Sequence, residues 1–176
     1  MTRAAAGFDV ELVWARDRLP FDRALMGRKA AGLLELPPVW VPEFIVVRAH
    51  LPRRLRKVTP KLVSRRLILS DGVQEEINRL DSRASHGFAV RSSAAVEDLR
   101  ARGAFATAQA ATAADLHLAI AMVLLDTEAA PEYPTGEPLP VIIQHRVRTL
   151  ARGQMANTRR VSQDRRSWRV ETRSDV

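Results

Sequence analysis

The sequence contains no cysteine. Disulfides and thiolate metal sites are therefore excluded, and a reducing compartment is the natural setting. Histidine is scarce: His50, His86, His117 and His145 are the only four, and none pairs at ligand spacing, so no zinc site is expected. Aromatic residues make up 5% of the chain, too few for the stacking platform of a single-strand nucleic-acid binder. Met1–Val10 lacks the apolar stretch of a secretory signal. The most apolar helical run, Leu116–Leu125, is about half of what a bilayer crossing requires. The expectation is a soluble, cytoplasmic protein with no membrane partner.

What is present is a chain of 176 residues, 46% of them hydrophobic, enough for one domain with a tail. The net charge is +8 and is carried almost wholly by arginine; Lys29, Lys57 and Lys61 are the only lysines. A basic balance favours anionic partners such as nucleotides, nucleic acid or an acidic protein surface, although a solvated basic surface accounts for it without any partner.

Read along its length, the chain is mixed α and β with at least three short strands. Phe8–Leu19 is mixed and amphipathic. Arg23–Leu36 reads as a helix with Leu25, Ala30, Leu33, Leu34 and Leu36 near one face, stopped by Pro37-Pro38. Phe44–Val47 is a buried strand. The strongly basic stretch His50–Arg66 becomes helical from about Lys61, and Val73–Leu80 is a further helix with Asp71 as its candidate cap. Phe88–Val90 is a strand, Gly103–Thr112 is alanine-rich, and Asp115 stands where it would cap the helix Leu116–Leu125. Pro131–Pro140 is a loop and Val141–Ile143 a strand. Beyond Arg146 apolar content falls, and only Ser167–Val170 suggests a strand. The expected division is 1–150 and a basic segment 151–176.

Four places carry candidate chemistry. Lys29 lies near a helix start, where unpaired amides and partial positive charge suit phosphate; the competing reading is an exposed helix lysine. Arg91, Ser92 and Ser93 follow a buried strand, and an arginine fork with two hydroxyls suits phosphate oxygens. In the competing reading a serine caps a helix and Arg91 pairs with Glu97 or Asp98. Those two acids suit Mg2+ or a plain surface equally. Gln144, after the last strand, suits a base or ribose, or simply faces solvent.

Together and in this order, the segments resemble a known family. Lys29 lies in a pattern similar to G-x-K-x-x-x-L, and Val41–Val47 is similar to V-P-x-G-F-V-V with Glu43 in place of glycine. Ala89–Leu99 resembles V-R-S-S-A-x-x-E-D-L, Phe105-Ala106 part of A-S-F-A-G-Q, and Pro140–Gln144 with Val147 a V-V-V-Q-x-x-V strand. These motifs resemble the N-terminal ATP-binding domain of the phosphoenolpyruvate synthase and pyruvate phosphate dikinase family, in truncated or divergent form. The resemblance implies an α+β, ATP-grasp-like fold and an ATP-dependent phosphotransferase using Mg2+. Lys29 and Arg91 would contact phosphates, Ser92 and Ser93 would shape the pocket, and Gln144 would lie near the nucleotide.

The chain departs from the pattern at Glu43, at Thr107 in place of a glycine, and across Arg152–Arg160, where S-G-V-x-F-T-x-D-P is degraded. The family's later glutamate and Q-x-R element have no counterpart before Val176. The expectation is an incomplete nucleotide site, completed by a complementary chain or another copy of this one. The alternatives are a non-catalytic partner that keeps the fold and a basic nucleic-acid-binding module.

Overall fold

A computed structural model describes residues 7–16, 22–49, 51, 58–94, 107–129 and 137–147, together with the backbone of two strands at 151–156 and 169–174. Contacts divide the chain into two units, Met1–Arg146 and Val147–Val176.

The first unit is built on six strands: β1 (Phe8–Ala15), β2 (Phe44–Ala49), β3 (Leu67–Leu69), β4 (Phe88–Ser92), β5 (Thr107–Ala110) and β6 (Leu139–His145). They form one sheet in the order β3-β1-β2-β6-β4-β5. Only the β1–β3 pairing is parallel; the others are antiparallel. The central strands β2 and β6 read as near-continuous apolar runs because both of their faces are covered.

Four α-helices accompany the sheet: α1 (Arg23–Leu34), α2 (Pro60–Ser64), α3 (Asp71–Asp81) and α4 (Leu116–Ala129). Helices α3 and α4 bury one side of it. The large core there joins Val10, Ile45, Val47, Phe88, Val90, Val141 and Ile143 from the strands to Ile77, Leu80, Ile120 and Leu124 from the helices. On the opposite side α1 packs a smaller core of Met26 and Ala30 against Trp14, Phe44, Val46 and Ile142.

Strand parity explains which residues reach which side, with one interruption. Residues alternate between faces along a strand, so Trp14 should share the α3 side with Val10 and Leu12. A β-bulge between Leu12 and Trp14 moves the register by one. The extra residue, Val13, re-aims Trp14 toward α1, as bulges do. There its ring lies 4.8 Å from that of Phe44, centroid to centroid.

Several expectations are corrected. The mixed segment at Phe8 is a full strand, and a short strand, β5, forms within the alanine-rich stretch. The expected apolar face of α1 holds in part: Ala30 is buried and Leu33 and Leu34 pack against the α1-side core, but Leu25 and Leu36 are exposed and Met26 and Ala31 are buried instead. The cause is Gly27, whose non-helical conformation breaks the helix and resets its phase. Asp71 is the first residue of α3 and Ser70 its N-cap, so Asp71 acts on the helix dipole instead of capping. Asp115 acts one turn earlier than expected: Thr112 is the N-cap of a single 3-10 turn, Ala113–Asp115, ahead of α4, and Asp115 closes the reciprocal box by accepting from the Thr112 amide. No helix among the described residues is long and apolar enough to cross a membrane.

The second unit contains β7 (Ala151–Ala156) and β8 (Arg169–Ser174), an antiparallel pair in register from Ala151↔Ser174 to Ala156↔Arg169. Strand β7 occupies ground that the sequence reading left without an element. Glu97, Asp98, Phe105, Ala106 and most of the basic cluster at 52–57 lie outside the described residues.

Candidate functional site

The two motifs of the sequence reading meet at one junction, 63 residues apart in the chain. Gly27 has φ 74° and ψ 173°, a left-handed conformation that a side chain would strain. A Cβ built there would lie 1.4 Å from the carbonyl oxygen of Ser93. The position therefore requires glycine for two separate reasons, its backbone angle and the close approach of another backbone. After Gly27 the helix restarts. The backbone amide of Ala30 donates to Ser93 Oγ at 2.9 Å in a buried setting. The amide of Ser93 in turn donates to the carbonyl of Pro140 at 2.8 Å, locking the exit of β4 to the start of β6.

Ser93 is thus a helix cap, but for α1, from across the fold, and not for the segment that follows it. It is fully buried, and its oxygen fastens α1 to β4. The Gly27–Ser93 contact brings Lys29, which is half-buried near the restarted end of α1, to the same side of the sheet as Arg91.

Register pairs place the remaining residues. Arg91 is opposite Ile142 on β6, and Ile142 belongs to the α1-side core. Gln144 is opposite both Phe44 and Ala89. Arg91, Gln144, Phe44 and Ile142 therefore share one face. Ser92 does not join them: its partner is Val141, a member of the opposite core, and it is fully buried on the α4 side. Of the sequence-predicted residues, the structure gathers Lys29, Arg91, Ser93 and Gln144 and turns Ser92 away.

Two of these side chains are notable for what they do not engage. Arg91 is half-buried, yet no ion pair joins it to any described residue. The proposed partners Glu97 and Asp98 lie outside the described residues. Gln144 is only 7% exposed, and no hydrogen bond joins its carboxamide to any described residue. The one buried side-chain polar atom left without a partner among the described residues is Arg79 Nη2, so the Gln144 carboxamide keeps access to solvent at its tip. The arrangement suits an anionic ligand with further polar edges. No group of three His, Asp or Glu side chains able to hold a metal occurs among the described residues. Mg2+, if it participates, would arrive on the phosphates of a nucleotide, a mode in which it needs few protein ligands.

Sequence reasoning missed two neighbours on this face, Thr107 and Gln109 of β5. They pair with Arg91 and Ala89 respectively, and both are exposed. Period-two alternation would have found them had Gly103–Thr112 been read as a strand.

A second polar cluster lies elsewhere. Arg79 on α3 forms ion pairs with Glu43, just before β2, and with the buried Glu76 at 2.8 Å; Arg83 approaches Glu43 at 3.5 Å. Burial pushes the Glu43 carboxyl up, but the hydrogen bond and charge of Arg79, with Arg83 and His145 behind it, hold it below its ordinary value of 4.5. The same bond to Glu43 raises Arg79. His145 Nε2 lies 2.9 Å from the carbonyl of Leu80, which can only accept, so that nitrogen carries the proton. Glu43 thus ties α3 to the sheet.

Compared with known families and with curated proteins, the chain matches no family model and no curated relative.

Proposed function

We propose that the chain binds a nucleotide on the polar part of the α1-side sheet face, as one wall of the ATP site of a phosphoenolpyruvate synthase-like phosphotransferase. The observation that carries this reading is the Gly27–Ser93 junction. It joins the two candidate phosphate motifs by a buried hydrogen bond and a contact that admits no side chain, leaving Lys29 and Arg91 on one side. Arg91 supplies a planar fork of donors with no counter-ion among the described residues. Lys29 supplies a mobile cation near a helix start. Phosphoryl transfer requires cations on the transferred group, a metal and an oriented acceptor. The described residues supply only the first, so a second wall comes from another protein segment.

Calorimetric titration with MgATP tests the reading. Lys29→Ala and Arg91→Ala should each weaken binding by about 1.5–3 kcal/mol, the worth of a charged hydrogen bond. A parent protein that takes up no MgATP, or variants that bind as the parent does, would remove its basis.

A further inference from the structure

The second unit carries most of the chain's charge. Residues 147–176 hold eight arginines and no lysine against Asp164, Glu171 and Asp175, a net +5 of the +8 of the whole protein. Register sorts the arginines of its two strands. Arg152 of β7 is directly opposite Arg173 of β8, Gln154 is opposite Glu171, and Ala156 is opposite Arg169. Alternate residues of a strand share a face, so these six belong to one face of the ribbon. Ala151, Gly153, Met155, Val170, Thr172 and Ser174 belong to the other. Every arginine of β7 and β8 therefore falls on one face, at its two ends, with Gln154 and Glu171 in the middle row.

Like charges set directly opposite each other destabilise a strand pair. A two-stranded antiparallel pair is marginal in water even without that cost. An anion across the Arg152–Arg173 row turns the repulsion into attraction, because guanidinium forks bind phosphate oxygens in pairs. One small anion can serve only one row: the Arg152–Arg173 row and Arg169 are four residues apart, about 14 Å along the strands. That span matches the major groove of B-DNA, about 12 Å wide, which admits a two-stranded ribbon. A duplex carries a phosphate charge about every 1.7 Å of its axis, so both ends of the ribbon find one. An acidic peptide would need carboxylates placed at the ribbon's own spacing. The other face disfavours a membrane, since Met155 and Val170 are its only large apolar residues. The scarcity of aromatics disfavours a single strand.

From this juxtaposition we infer that the face of β7–β8 bearing Arg152, Arg173 and Arg169 is a docking surface for the phosphate backbone of duplex DNA. The ribbon lies across the major groove, with Arg152 and Arg173 at phosphates on one side and Arg169 at phosphates on the other. Phosphate contacts position a protein without reading sequence, so binding is indifferent to base order. The inference is independent of the nucleotide reading, which concerns the first unit alone.

Fluorescence anisotropy of the full chain with two labelled DNA duplexes of unrelated sequence, over a series of salt concentrations, tests it. The parent should bind both duplexes alike, with log K falling linearly in log salt. Arg152→Gln with Arg173→Gln should weaken binding about tenfold or more at low salt and lower the slope by about 2, one for each lost phosphate contact. Adding Arg169→Gln should lower it by about 3 in all. Arg152→Lys with Arg173→Lys keeps the charge and should keep the slope. Lys61→Gln with Arg65→Gln removes the same charge from exposed positions of the first unit and should leave the slope unchanged. The inference is overturned if the parent binds no duplex at low salt, or if the glutamine variants keep the parent's slope. It is equally overturned if the lysine variant loses as much as the glutamine variant, if the Lys61 and Arg65 control loses as much, or if one duplex sequence is strongly preferred. Tighter binding to polyglutamate or to phosphatidylserine vesicles than to the duplex would assign the face to an acidic protein or a membrane instead.

Discussion

One face of the main sheet carries two neighbourhoods built from adjoining strands. Over β1, β2 and β6, the residues Trp14, Phe44, Val46 and Ile142 are apolar and covered by Met26 and Ala30 of α1. Immediately beyond, Gln144, Ala89, Arg91, Gln109 and Thr107 carry the same face across β6, β4 and β5 with mostly polar side chains, of which Gln109 and Thr107 are exposed. The border runs along β6, between Ile142 and Gln144. The covered half follows the ordinary logic of a core, in which contact area is stability. The open half departs from it: half-buried Arg91 has no ion pair among the described residues. Local rules tend to fail at functional sites. Substitutions on the two sides should therefore separate stability from binding.

The largest stability effect belongs to the covered half. Trp14→Ala removes a buried ring stacked beside Phe44 and should cost about 3–5 kcal/mol by chemical denaturation. A loss below about 1 kcal/mol would mean that the bulge at Val13 does not fix Trp14 under α1.

The seam between α1 and the open half comes next. Ser93→Ala strips the buried acceptor from the amide of Ala30 and should cost about 1–3 kcal/mol. It should also weaken MgATP, because Lys29 is carried on that end of α1. An unchanged ATP affinity with reduced stability would separate the junction from the site.

A smaller effect comes from outside both halves and sharpens the comparison as a control. Glu43 is held below its ordinary value of 4.5 in the folded state. Its contribution is therefore fully present above that pH and is lost as pH falls through the lowered folded value. Glu43→Gln should flatten the acid limb of a melting-temperature profile and leave nucleotide affinity near neutral pH unchanged. A variant with the acid limb of the parent would show that Arg79 and Arg83 do not stabilise the ionised carboxyl.

Much of this division is readable from residue order, for physical reasons that differ by element. Strands β2, β4 and β6 announce themselves as apolar runs, and α4 does so by its length and apolarity. The basic-and-hydroxyl cluster at Arg91–Ser93 was visible as a candidate site, and parity along β4 alone would have turned Ser92 away from Arg91. The rest depends on contacts distant in sequence. Nothing near Trp14 reveals that Val13 is an extra residue, since a bulge is defined by the partner strand. The reach of Ser93 to Ala30 spans 63 positions. Gly27 reads as a weak helix residue until the backbone of Ser93 is seen beside it. Glu43 departs from the family pattern, yet its role emerges only with Arg79 across from it. An ATP-grasp-like fold is an expectation of the resemblance; the structure described here is an α+β sheet with helices on both faces.

The most direct measurement of the central claim uses one residue in two roles. Arg91 lacks an ion pair among the described residues, so without ligand Arg91→Ala should unfold within about 0.5 kcal/mol of the parent. MgATP at about a hundred times its dissociation constant should stabilise the parent by about 2.7 kcal/mol and the variant by far less. Thermal unfolding of both proteins, with and without MgATP, gives all four values. Equal stabilisation of parent and variant, or none in the parent, would contradict the assignment of the open half as a nucleotide site.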